Sequence, residues 1–224
     1  MDALLYLNKT GCQWRLLPAE FGPWQTVYYY FRKWKLEGVF DEIMDTLHSF
    51  ARKLVGRDES PSMGIIDSRS VKTSHHADAS CKGIDGNKKV KGRKEHIVVD
   101  TLGLPMAVAV HEANIHDSKE APKAIEKLEY KFPRLVKILA DGGYQGSLGD
   151  WVANKFGWTV EVVLRPDECP SKFQVLPKRW IVERSFASLE NFRRLTIDYE
   201  YLADTAETMV QLAFTQIMLN KFFQ

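Results

Sequence analysis

The chain has 224 residues, of which 45% are hydrophobic and 27% charged, and its formal net charge is +2. That length and balance suit one substantial core with a small extra module in an ordinary soluble protein. No run of about 18 apolar residues is present, which excludes a membrane-spanning helix. The opening MDALLYLNKTGCQW lacks the basic start and cleavage site of a secretory signal. Cys12, Cys81 and Cys169 are far apart and show no CxxC spacing. They indicate neither a disulfide framework nor a zinc site, and a cytoplasmic protein is expected.

Residues 1–57 read as helical. WQTVYYYFRKWKLEGVFDEIMDTLHSFARKL spaces its apolar residues as a helix does, and its cluster Tyr28, Tyr29, Tyr30, Phe31 and Trp34 is expected to be mainly core. The polar GRDESPSMG marks a boundary, giving a helical part over 1–58 and a second unit over 59–224. GIIDSRSVKT (64–73) predicts a strand, and HIVVDTLGLPMAVAVHEA (96–113) a hairpin in which Asp100 belongs to the turn. D-S-K-E from Asp117 has capping-box form and opens a helix. LVKILADGG is a strand, SLGDWVANKFG a short helix, WTVEVVLR (158–165) a strand, and KRWIVERSFASLENFRRL (178–195) a helix. TAETMVQLAFTQIMLNKFF closes the chain as a further helix. Three antiparallel strands followed by strands alternating with helices predict an α/β fold with a mixed sheet, in the strand order of the ribonuclease-H-like fold.

In such a sheet the strand holding Asp67 and the strand ending at Asp141 are neighbours. Each aspartate follows apolar residues, so each emerges where core becomes cleft. Glu183 lies on a helix whose Trp180, Val182 and Phe186 would press it onto the sheet. Three acids gathered in a partly desolvated cleft repel one another. Mg²⁺, bound through carboxylates, water and substrate phosphates, is the usual remedy, and two such ions can drive displacement at a phosphodiester. Taken singly, each acid is equally readable as a polar strand or helix position.

The positive charge is segregated. CKGIDGNKKVKGRK (81–94) carries six basic residues against one acid, and a second stretch carries Lys178, Arg179, Arg184, Arg193 and Arg194. Such stretches are either solvated faces or phosphate contacts, and the local field of the second kind holds a polyanion even on a near-neutral chain. Lys88, Lys91, Arg93 and Lys94 from the first stretch, and Arg179, Arg184, Arg193 and Arg194 from the second, are the candidate phosphate contacts. Arg69 and Lys72 join them, since Asp67 and Arg69 share a strand face.

Several longer segments then carry a resemblance: TGCQWRLLP, WQTVYYYFRKW, IIDSRSVKT, KGRKEHIVVDTLGLP, ANIHD, LADGGYQG and RWIVERSFASLENFRRL. Over nearly its whole length the chain resembles a bacterial DDE transposase of the insertion-sequence-five family, related to the insertion-sequence-four superfamily. The resemblance implies that Asp67, Asp141 and Glu183 are the catalytic, metal-holding triad, with two Mg²⁺ per site and Mn²⁺ able to substitute. It further implies cleavage of double-stranded DNA at insertion-sequence ends, strand transfer into target DNA, a homodimer on that DNA, and a place near the bacterial nucleoid. The Y-x2-R-x3-E-x6-K signature of related families is only half present: Arg179 and Glu183 fit, whereas Leu176 and Glu190 fill the tyrosine and lysine slots. Family members usually carry additional residues ahead of the DALLYLNKTGCQW region, so a shortened copy is expected. Two other readings stay open: a transposase-derived DNA-binding protein without transposition activity, and a nuclease of the same fold.

HEANIH suggests a zinc-protease motif, but His111 and His116 are five residues apart and diverge by about 140° on a helix. His96 is either a phosphate contact or a satisfied structural histidine. No G-x-x-x-x-G-K-[ST] loop exists, so ATP is not implied.

Overall fold

The computed structural model describes residues 1–163 and 178–222; Cys169, Leu176 and the last two residues of the expected 158–165 strand lie outside them. Three helices open the chain, α1 (Asp2–Thr10), α2 (Trp24–Leu36) and α3 (Val39–Leu54). Four strands follow, β1 (Met63–Lys72), β2 (Gly83–Asp85), β3 (Val90–Val99) and β4 (Pro105–Glu112). Helices and strands then alternate as α4 (Asp117–Glu126), β5 (Lys137–Ala140), α5 (Leu148–Phe156), β6 (Thr159–Val162), α6 (Arg179–Leu189) and α7 (Ala203–Phe222). No helix among the described residues is long and apolar enough to cross a membrane.

β1 is the centre of the sheet. It runs antiparallel to β3, with Asp67 opposite Ile97 and Ser68 opposite His96, and parallel to β5, with Ile65 opposite Leu139. β6 continues in parallel beyond β5, while β4 and the short β2 share the outer edge of β3. This is the mixed α/β sheet of a ribonuclease-H-like domain with a helical N-terminal part, as the strand order suggested.

Two apolar layers flank the sheet, and the strand period of two decides which residue joins which. Ile65, Ile97 and Val99 pack toward α1, α6 and α7 with Val182, Phe186, Val210 and Phe214. Ile66 and Val98 pack the other way, against Ala121, Ile125 and Leu128 of the α4 region and Val152 of α5. Continuing the alternation, Asp67 faces α6 and Ser68 faces α4.

β3 begins at Val90, six residues before the expected His96, so VKGRK is strand and not loop. Lys91 stays exposed, and the next three charges are absorbed in alternation. Arg93 and Glu95 turn to one face, where they pair with Asp198 and Arg69; Lys94 turns to the other, where it pairs with Asp117. Isolated charge runs belong in solvent, but paired ones can be buried.

The N-terminal helices share the first of these cores. Leu4, Leu7, Phe31 and Phe40 belong to the same cluster as Ile65 and Phe214, and Asn8 donates to the Met209 carbonyl at 2.8 Å. The aromatic cluster of α2 divides: Phe31 is buried and Trp34 packs against the core, whereas Tyr28, Tyr29 and Tyr30 are exposed. Three consecutive tyrosines span about 200° of a helix, so they cannot all face inward. Asp100 fastens α3 to the β3–β4 turn. Its Oδ1 accepts from the Leu102 and Leu104 N–H groups at 2.8 and 2.9 Å, while Oδ2 meets Arg52 and lies 3.6 Å from His48 Nε2. Burial opposes that charge, but the contacts from His48, Leu104 and Arg52 prevail and hold the carboxyl below its ordinary value.

Candidate active site

β5 delivers Asp141 to the sheet edge beside β1, which carries Asp67. Its apolar Ile138, Leu139 and Ala140 are buried, and the chain then tightens into a single turn over Gly142–Tyr144. The turn closes on the aspartate, whose Oδ1 accepts from the Gly143 N–H at 2.9 Å. A Cβ at Gly143 would lie 3.0 Å from Asp141 Oδ1 and 3.4 Å from Asp117 Oδ2. The glycine therefore leaves room for two carboxylates at once.

Helix α6 closes the site from the apolar side. Its buried Ile181, Val182, Ser185 and Phe186 hold it on the sheet, and Arg179 and Glu183, one turn apart, lie over the strand ends. One nitrogen of the Arg179 guanidinium, Nη2, lies 3.4 Å from Asp67 Oδ2, 3.4 Å from Asp141 Oδ2 and 3.6 Å from Glu183 Oε1. The three acids picked out in the sequence thus converge on one point. Glu183 is the most open of them, with its side chain 58% exposed against 15% for Asp67.

Burial, joined by the charge of Asp141, pushes the Asp67 carboxyl up to about 6, although the Ser68 N–H and Arg179 act against the shift. This is the strain expected of acids crowded into a desolvated cleft. The donors are all carboxylate oxygens, the chemistry that a hard divalent cation requires. Around Arg179 they stand too far apart to form a finished cage, and no such cage of three or more His, Cys, Asp or Glu exists among the described residues. Arg179 holds the position of a counter-cation among the three acids.

The expected DNA contacts separate into two groups. Lys72, Lys88, Lys91, Arg184 and Arg193 are exposed. Lys88 Nζ reaches to 3.4 Å from the Ser68 carbonyl, next to Asp67, and Arg184 lies over the Trp180 ring at 4.8 Å. Arg93 and Arg194 do not fit the expectation, because both are buried and committed. Arg93 bonds Asp198 at 2.6 Å and the carbonyls of Cys81, Glu200 and Tyr201, while Arg194 pairs with Glu200 at 2.7 Å and donates to the Cys12 carbonyl. Lys94 is buried too, between Asp117 at 2.9 Å and the Ile115 carbonyl. Arg69 is half-buried with its Nε on Glu95 at 2.7 Å.

Asp117 also departs from its expected role. The helix cap is His116, whose ring accepts from the Ser118 N–H, and Asp117 instead turns into the cleft toward Ser68 and Lys94. No sequence pattern announced this, because its partners lie 49 and 23 residues away. His96 is fully buried, which removes it from direct phosphate contact, but it is not the fully satisfied histidine of the other reading, since its Nε2 has no hydrogen-bond partner among the described residues.

A family model described as "Transposase DDE domain" matches residues 58–218, and one described as "Putative transposase of IS4/5 family" matches residues 1–44. The chain is 29% identical over 136 residues to the "Putative transposase for insertion sequence element IS402" of Burkholderia cepacia, covering 58% of this chain and 64% of that one. It is 31% identical over 77 residues to the "Uncharacterized protein y4sN" of Sinorhizobium fredii, covering 34% and 55%. The chain thus spans less than two thirds of either relative's length. The DDE-domain match alone covers well over half of the chain and includes all three converging acids, and the chain belongs to the DDE transposases of the IS4/IS5 type.

Proposed function

We propose that the protein cleaves DNA strands at the ends of an insertion element and joins the freed 3′-hydroxyl to target DNA, with Mg²⁺ held by Asp67, Asp141 and Glu183. The observation that carries this reading is the convergence of the three carboxylates on one cationic nitrogen within 3.6 Å. When bound, divalent ions of this kind activate an attacking oxygen and stabilise the leaving one. The chain's own part is positioning and charge. Asp67 accepts from the N–H of the next residue on its strand, Ser68, and Asp141 from the Gly143 N–H of its turn, so their oxygens are aimed before any ligand arrives. Arg179 is half-buried, and its Nε, a buried atom, has no hydrogen-bond partner among the described residues. Once the acids turn to a cation, this guanidinium is free to take a phosphate oxygen, a pairing that its fork geometry favours. Lys72, Lys88, Lys91, Arg184 and Arg193 supply exposed positive charge for the flanking backbone. Two copies on DNA follow from the joining of two element ends.

The test is incubation of purified protein with its own flanking DNA and Mg²⁺ or Mn²⁺, read on a sequencing gel. Nicks at a defined element boundary, followed by joined products from a labelled end, are expected. Cleavage without joining would favour the nuclease reading. Salt-sensitive binding with no cleavage would favour the DNA-binding one.

A further inference from the structure

One carboxylate in the cleft has no place among the three that surround Arg179. We propose that Asp117 is a positioning residue, which holds Asp67 and Asp141 in register with each other; the proposal rests on the reading of those two aspartates as metal-holding groups. Two arms lead from it. In the first, Asp117 Oδ1 accepts from the Ser68 hydroxyl at 2.9 Å, and the Ser68 N–H donates to Asp67 Oδ1 at 2.7 Å. Fixing the Ser68 side chain fixes the peptide group that aims Asp67.

In the second arm, Asp117 Oδ1 lies 3.6 Å from Nε2 of the fully buried His96, just beyond hydrogen-bond length, and that nitrogen has no hydrogen-bond partner among the described residues. The negative charge there favours the tautomer with its proton on Nε2, leaving Nδ1 to accept from the Tyr144 hydroxyl at 3.3 Å. Tyr144 is buried and its N–H donates to the Asp141 carbonyl at 3.0 Å, so its ring anchors the turn that presents Asp141. One carboxylate thereby touches the supports of both aspartates, which lie on separate strands.

Asp117 is distinguished from a metal-holding acid by its charge partner. Lys94 Nζ, itself buried, sits 2.9 Å away and is held in turn by the Ile115 carbonyl. Asp117 is also the first residue of α4, where the helix end favours negative charge. Burial would raise this carboxyl, but the contacts from His96, Lys94 and Ser68 outweigh it and keep the group ionised well below the usual carboxylate range. Outer partners that orient ligating carboxylates commonly contribute 10–100-fold in affinity or activity.

The experiment compares wild type, Asp117→Asn, Ser68→Ala and Asp67→Asn by Mn²⁺ binding, read by electron paramagnetic resonance, together with metal-free gel shifts and thermal unfolding. Asp117→Asn is expected to weaken Mn²⁺ binding about 10–100-fold while metal-free DNA affinity stays within about twofold. It should also move the ring ¹⁵N signals of His96, a change that general loosening of the fold would not single out. Ser68→Ala leaves every charge in place and is expected to weaken Mn²⁺ binding in the same direction by a smaller factor. Wild-type Mn²⁺ affinity in a folded Asp117→Asn protein overturns the proposal; if that variant does not fold, wild-type affinity in Ser68→Ala does so instead. Wild-type affinity in Asp67→Asn is a different failure, since it removes the metal reading itself and the proposal with it.

Discussion

Replacing Asp141 by Asn should lower strand cleavage by more than about a hundredfold, since even the outer partners of ligating groups contribute up to that amount. The side chain keeps its size and can still accept from the Gly143 N–H, so the turn survives. What is lost is one of the negative charges surrounding the Arg179 nitrogen. Binding to element-end DNA, measured by gel shift without divalent ions, should stay the same or tighten slightly, because a charge that repels phosphate has gone. Parallel loss of cleavage and of DNA binding would instead assign Asp141 to the folding of the turn.

Arg93→Met should destabilise the protein by about 3–5 kcal/mol in urea unfolding, the loss typical when one partner of a buried ion pair is removed. The guanidinium is fully buried and ties β3 to the segment ahead of α7 through Asp198 and the carbonyls of Glu200 and Tyr201. Without it Asp198 keeps its burial, which already raises its carboxyl above the ordinary value, but loses the cation that works against that rise. DNA affinity of the folded variant should match wild type. An unchanged midpoint, with weaker DNA binding and a salt slope reduced by about one, would return Arg93 to the phosphate-contact role first expected of it.

These two residues mark what could and could not be read from the chain. Asp141 was legible because KILA ends in an acid followed by two glycines, a local pattern of core giving way to a displayed group. Asp67 and Glu183 were legible for the same reason, from apolar neighbours at strand and helix spacing. Arg93 and Lys94 were not, since a lysine-rich stretch reads as solvated unless its counter-charges are known. Those counter-charges, Asp198 and Asp117, lie 105 and 23 residues away. The true start of β3 was hidden by the same cause: its alternation is of paired charges, not of apolar with polar. Asp117 sat in a capping-box pattern that accounted for it locally, so its tertiary role left no trace in the sequence. Arg179 was placed in the cleft by its spacing from Glu183, but its contact with all three acids depends on strand neighbours that only the fold brings together.

Asp67, Asp141 and Glu183 are proposed to form one cation site. Calorimetric titration of Mn²⁺ into wild type, Asp67→Asn, Asp141→Asn and Glu183→Gln tests it most directly. Saturable binding to wild type and a large loss of affinity in each of the three variants are expected. Wild-type affinity retained in all three would contradict it.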